Sequence, residues 1–385
     1  MKKNTTLVVV ALCASLSSCF KDEPLNAECD IRQAYIHADN PEAVFYKPAD
    51  SLVNVITADS KIRFSVRRDA DLTRIAPIFT ITEGATITPA SGSEHDFGQG
   101  PVSYRVTSQD GQWHRDYTVY VDAVMKNISD VPVLGFEHPE IFETMDGKYY
   151  VWREDADGVS LDIWATGNPG FALTNGQTLP GDYPTAPVDG GVEGKAVKLE
   201  TKSTGALGAL VNKRIAAGNL FTGKFDVKDA LADAMKATMF GVPTGLKPIK
   251  FEGWYKYKPG PTYQDKDGNP VPGKTDMGDI YAVLYKNTDQ QGNAIVLHGD
   301  DVRTNPNIVA VAALGETKAT DEWTKFELDF DYTGALDPET LAAYGYSIAV
   351  VCTSSNGGAT FQGAVGSTLM VDELKITWDK NDSDK

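Results

Sequence analysis

The chain has 385 residues, 36 Lys and Arg against 53 Asp and Glu, a formal net charge of −17 and 42% hydrophobic residues, with 35 Gly and 20 Pro. This composition excludes a disordered tail, a coiled coil, a collagen-like repeat and a multi-span membrane protein, and the length suits two or three globular domains. The acidic balance also excludes a dedicated nucleic-acid binder, which needs a surplus of Lys and Arg on one face.

The first element is a leader. Lys2 and Lys3 precede an apolar run from Leu7 to Leu16, which Ser17 and Ser18 close before Cys19. Residues 1–18 therefore read as a cleaved signal peptide, the apolar run being shorter than the about 20 residues a spanning helix needs. Leu16-Ser17-Ser18-Cys19 resembles the lipobox of bacterial lipoproteins, which implies that Cys19 is diacylated and starts the mature chain. Acyl methylenes buried at about 0.8 kcal/mol each make that anchor effectively permanent. Residues 19–26 form a tether. Within it Phe20-Lys21-Asp22-Glu23 resembles the acidic export signal that sends some Gram-negative lipoproteins to the outer face of the outer membrane. The expected location is that outer face, with acyl chains as the sole membrane contact, because an acidic chain is repelled by anionic lipid. Of the remaining cysteines, Cys29 and Cys352 lie far apart with no C-x-x-C spacing and read as small apolar residues.

Residues 27–124 show short alternating segments between turns. Ile62, Phe64 and Val66 alternate with Arg63, Ser65 and Arg67, and Val102, Tyr104 and Val106 face Tyr117, Val119 and Val121 across a turn at Asp110-Gly111, a hairpin pattern. An immunoglobulin-like β-sandwich accommodates about 95 residues of this kind. The run Gly84 to Gly92, with Tyr104 to Ser108 and Asp110-Gly111, resembles the Ig-like modules that precede functional domains in surface lipoproteins. Trp113 and His114, just past the turn, read as cross-strand packing residues in a spacer.

Residues 125–130 read as a polar link, and 131–379 again as strands with Gly- and Pro-rich turns, a size suited to a jelly roll. One short helix interrupts them: Asp226 caps a segment in which Ala230, Leu231, Met235 and Met239 recur at helical spacing. The fold class expected is all-β, an Ig-like sandwich followed by a larger jelly-roll sandwich.

Six runs carry a further resemblance: Gly135-Phe136-Glu137, Trp164 to Phe171, Tyr183-Pro184-Thr185, Gly194 to Thr201, Phe251 to Gly260 and Val371 to Leu374. In this order they resemble the "putative carbohydrate metabolism domain" found at the C-terminus of bacterial surface lipoproteins, over nearly the whole second domain. That resemblance implies a jelly roll that binds or breaks down glycan, with a polysaccharide or oligosaccharide as partner.

A sugar offers an apolar C–H face for aromatic rings and a rim of hydroxyls for amides and carboxylates. Trp164 with Asn168, in a loop-rich Gly-Asn-Pro-Gly setting, and Trp254 with Tyr257 meet that composition. Alternation puts Phe251, Gly253, Tyr255 and Tyr257 on one face and Glu252, Trp254, Lys256 and Lys258 on the other, making Trp254 the candidate for an exposed platform. Asp279 and His298 add polar contacts. The resemblance to jelly-roll carbohydrate modules also implies a structural calcium, with Glu137 and Asp372 as its carboxylates and backbone carbonyls for the remaining oxygens.

Hydrolysis requires two carboxylates across a cleft. Glu327-Leu328-Asp329-Phe330-Asp331 superficially resembles the Glu-x-Asp-x-x-Glu strand of jelly-roll glucanases, but position 332 is Tyr, and the acids read as the solvated face of an outer strand. No Ser-His-Asp signature or Gly-x-Gly-x-x-Gly loop competes. Glycan binding leads, with a glycoside hydrolase or a structural, fimbrial-type adhesive protein as alternatives.

Overall fold

The computed structural model describes residues 24–56, 60–230 and 233–379. The segment expected as a signal peptide, Cys19 and most of the expected tether lie outside them. The described chain forms two compact units that divide between Met125 and Lys126. Among the described residues no helix is long and apolar enough to cross a membrane.

The first unit is a β-sandwich. One sheet orders Leu52–Asn54, Ile31–Ile36 and Pro77–Ile81; the other orders Lys61–Arg67, His114–Val124, Val102–Thr107 and Thr86–Thr88. The alternating residues Ile62, Phe64, Val66, Tyr104, Val106, Tyr117 and Val119 are all buried in its core. Tyr104 pairs with Tyr117 in register, and Gly111 takes the positive φ of 71° that the turn demands. Trp113 departs from its expected packing role: it is 61% exposed, because it sits on the turn before the ladder begins at His114.

The second unit is the larger sandwich, antiparallel throughout. Its larger sheet orders Trp164–Ala165, Asn219–Phe225, Tyr346–Thr353, Asp279–Lys286, Ile308–Ala313 and Asp331–Tyr332. The smaller sheet orders Thr185–Asp189, Lys195–Glu200, Thr368–Asp379, Lys247–Lys258 and Thr320–Asp329. Alternation delivers Phe251, Tyr255 and Tyr257 from one sheet and Ile280, Ala282, Leu284, Ile348 and Val350 from the other into a shared core. Each such large side chain removed from water contributes roughly 1.5–3 kcal/mol. The stretch expected as a polar link is partly folded: Ile128–Asp130 forms a 3-10 turn capped by Asn127, and Ile128 packs into this same core.

The expected single helix after Asp226 is corrected. Val227–Ala230 and Ala234–Ala237 are separate short helices, the second capped by the Asp233 carboxylate accepting from the Met235 N–H. Met239 lies on the strand Thr238–Phe240, which pairs with Asn219–Phe225, so sheet pairing overrides its helical spacing. Conversely, Gly167-Asn168-Pro169-Gly170 opens a helix, Asn168–Asn175; proline in the first turn removes only an N–H that would have no partner there.

Candidate functional site

The strand Asp279–Lys286 is buried on both sides. Ile280, Ala282 and Leu284 point into the sandwich core, whereas Tyr281, Val283 and Tyr285 join Phe221, Phe240, Leu297, Val302 and Val351 in a second apolar cluster on the outer face of the larger sheet. A cavity of about 470 Å³ opens on that face. The helix at Asn168–Asn175, the short helices before Thr238 and the turn at Gly299 to Thr304 all contribute to its walls.

Its polar centre is Asp279 with Arg303. Arg303 Nη1 donates to Asp279 Oδ2 at 2.5 Å, and its guanidinium lies 4.8 Å from the centre of the Tyr281 ring. Asp279 Oδ1 is buried and makes no well-formed hydrogen bond among the described residues, the neighbouring Ile280 N–H being the one other donor near the carboxylate. Burial pushes the Asp279 carboxyl above its ordinary value, the Arg303 charge opposing it. Within a dry site, an oxygen left without a donor is costly by about 1–3 kcal/mol.

Two half-buried rings line the cavity, Phe225 and Phe361. Gly170 leaves the space the Phe225 ring occupies: a Cβ there would meet its Cζ at 3.0 Å. Phe361 holds φ 57°, a left-handed conformation that costs a bulky residue roughly 1–2 kcal/mol. Its loop is fastened from below, where Asp276 Oδ2 accepts from Ser355 Oγ at 2.6 Å, Ser367 Oγ at 2.7 Å and the Ala364 N–H at 2.7 Å. Lys213, also on the wall, donates to the Ala230 carbonyl at 2.6 Å, and burial lowers its pKa. Asp300 is paired with Lys236 at 2.7 Å.

Of the residues expected in a site, Asp279 alone lines this cavity. Trp164 is corrected to a core residue: it is 6% exposed, donates Nε1–H to Glu154 Oε1 at 2.7 Å and packs on Phe136 at 5.3 Å. Asn168 is corrected likewise; fully buried, it donates from Nδ2 to the Thr185 carbonyl at 2.8 Å and accepts the Thr185 N–H at 3.1 Å, which spends the amide on the backbone. Tyr257, expected to touch ligand, is sealed in the core with its hydroxyl donating to the Ser354 carbonyl at 3.2 Å. His298 is half-buried; its Nδ1–H meets the Thr238 carbonyl at 2.8 Å, and its backbone N–H donates to Asp301 Oδ1 at 2.7 Å. It braces the turn that carries Arg303 and presents no group to the cavity lining.

Trp254 is half-buried on the outer face of the smaller sheet, as the alternation predicts, and does not line the cavity. Trp323 on the neighbouring strand is also half-buried, with Lys256 Nζ 5.1 Å from its ring. Glu327 and Asp329 are exposed, and Glu327 pairs with Lys325 and Lys250 at 2.5 and 3.4 Å: they form the solvated face expected of them.

Glu137 and Asp372 lie where the second unit's first loop meets its last strand. Asp372 is fully buried; Oδ2 accepts the Val192 N–H at 2.6 Å and the Glu193 N–H at 3.3 Å, and Oδ1 the Glu373 N–H at 2.9 Å. Glu137 accepts the Lys195 N–H at 3.1 Å. Burial first, then the repulsion of like charges, raises both Asp372 and Glu373. Among the described residues no three acidic, His or Cys side chains are placed to hold a metal ion. The two carboxylates named for calcium, with backbone carbonyls for its remaining oxygens, accept here from the backbone N–H groups of the turn at 190–195.

Arg303, Phe225 and Phe361 escaped sequence reasoning, since no spacing links them to Asp279 and a lone Phe in a Gly-rich loop carries no signature.

The family described as "putative carbohydrate metabolism domain" matches residues 136–377, and the domain described as "SGBP, N-terminal" matches residues 46–121. A solved protein of Bacteroides thetaiotaomicron VPI-5482, described as a putative glycoside hydrolase, is 37% identical over 94% of this chain and 99% of its own, with a TM-score of 0.61. A second, of Bacteroides vulgatus ATCC 8482 and described in the same words, is 40% identical over 65% of this chain and 98% of its own, with a TM-score of 0.61. No curated protein matches the chain.

Proposed function

The chain belongs to the family described as the "putative carbohydrate metabolism domain", and from that membership we propose that the cleft on the larger sheet binds glycan. Phe225 and Phe361 supply the stacking surfaces, and Asp279 and Arg303 the polar contacts. The observation that carries this reading is the Asp279–Arg303 pair on the wall of a 470 Å³ cavity that two half-buried rings also line. The volume lies within the roughly 300–1,000 Å³ of small-ligand sites, which pair apolar walls with a few placed polar groups. A glycan array on the mature chain, followed by Phe361→Ala and Phe225→Ala on any hit, tests it; full affinity in both variants would sink it.

Hydrolysis is the second reading, and one observation favours it. Asp279 and Asp300 both line the cleft, and their surroundings differ: burial raises the carboxyl of Asp279, which Arg303 holds, and the hydrogen bond from Lys236 lowers that of Asp300. A glycosidase needs one protonated and one ionised carboxyl group. Reducing-sugar release that disappears in both Asp279→Asn and Asp300→Asn would establish it.

The proposal includes location. A diacylated Cys19 would hold the protein on the outer membrane, facing outward, and radiolabelled palmitate incorporation lost in Cys19→Ser is the check.

A further inference from the structure

Asp279 and Arg303 set an acceptor and donors side by side. The Asp279 side chain is 9% exposed and that of Arg303 49%, so the guanidinium reaches from the buried carboxylate towards open solvent. Among the described residues the bond from Nη1 to Asp279 is the one hydrogen bond the guanidinium makes. Tyr281, beneath it at 4.8 Å, positions the plane without using any N–H. The pair thus offers one carboxylate oxygen that needs a donor and several N–H groups that need acceptors.

A hydroxyl both donates and accepts, so two neighbouring hydroxyls satisfy both needs at once. A uronate carboxylate or a sulfate only accepts. It would leave Asp279 Oδ1 buried without a donor, and it would meet a guanidinium whose charge Asp279 already offsets. Lys236 offers it little, being paired with Asp300. The net charge of −17 opposes any polyanion at long range.

We propose that Asp279 and Arg303 form a subsite for a pair of adjacent hydroxyls and not for a uronate carboxylate or a sulfate; because the acidic chain also repels polyanions, the ligand of this cleft is a neutral glycan. This rests on the cleft being the glycan site. The experiment compares retention of the mature chain in gels of neutral polysaccharides (xylan, galactan, mannan, β-glucan) and anionic ones (polygalacturonate, alginate, chondroitin sulfate), with calorimetry on any ligand found.

Neutral glycan alone is expected to bind, with little change between about 50 and about 500 mM salt because no ion pair is screened. Asp279→Asn and Arg303→Ala lower affinity about tenfold or more, as when a polar site loses its partner for a hydroxyl. Arg303→Lys, which keeps the charge beside Asp279 and guards against misfolding, loses less. Salt-sensitive, Arg303-dependent binding of an anionic glycan overturns the subsite and spares the cleft. Neutral-glycan binding lost in Phe361→Ala but intact in Asp279→Asn and Arg303→Ala does the same. Binding of no glycan in either class, or binding indifferent to all these variants, overturns the cleft reading and the subsite together.

Discussion

Trp164 donates its indole N–H to Glu154 Oε1 at 2.7 Å, and both partners are buried in the second unit. That bond explains why an indole set among Gly, Asn and Pro is no platform for a ligand: its polar atom is satisfied inward and its ring packs on Phe136.

The same bond gives the fold a pH dependence. Burial raises the Glu154 carboxyl from 4.5 to about 7, the Trp164 hydrogen bond opposing. The unfolded chain ionises there near 4.5, so the folded state holds an extra proton in between. Stability that is full below pH 4.5 is therefore lost as pH rises through 7. At 1.36 kcal/mol per unit, ionisation costs about 3 kcal/mol. Glu154→Gln keeps an acceptor for the indole and cannot ionise; it is expected to stabilise the second unit by about 1–3 kcal/mol at pH 8 and hardly at pH 4.5. Thermal unfolding at the two pH values decides, and equal effects at both would refute it.

Trp164→Ala is expected to cost about 3–5 kcal/mol, a cavity plus a buried carboxyl without its donor. Urea unfolding should show this, whereas glycan specificity in whatever protein stays folded should not change.

Phe361 separates stability from binding. Phe361→Gly removes the cost of φ 57° while deleting the ring, so the variant should unfold no earlier than the natural chain and yet lose glycan affinity by about tenfold. Calorimetry for both quantities checks it; a large fall in Tm would show that the ring is core.

Asp276 holds the Phe361 loop through three donors. Asp276→Ala removes the acceptor that three buried donors share, of which Ser355 keeps Thr201 as a partner, for an expected loss of about 3 kcal/mol. Hydrogen exchange should quicken first in residues 355–367, with affinity for glycan falling in parallel.

What the sequence by itself determined lies in its periodicities and turn residues. Alternation at Ile62 to Val66 and at Phe251 to Tyr257 was enough to assign which side chains meet the core, because a strand offers no other way to bury every second residue. The ordered runs from Gly135 to Leu374 sufficed for the family match. The tertiary structure alone decided the site. Asp279 and Arg303 are 24 residues apart, on a strand and a turn whose meeting no local pattern encodes. Trp164, Asn168 and Tyr257 have a sugar site's composition, but each found its hydrogen-bond partner in the surrounding backbone or on Glu154. A polar or aromatic residue is functional only when folding leaves its needs unmet. Whether they are met depends on which distant segment the packing brings alongside.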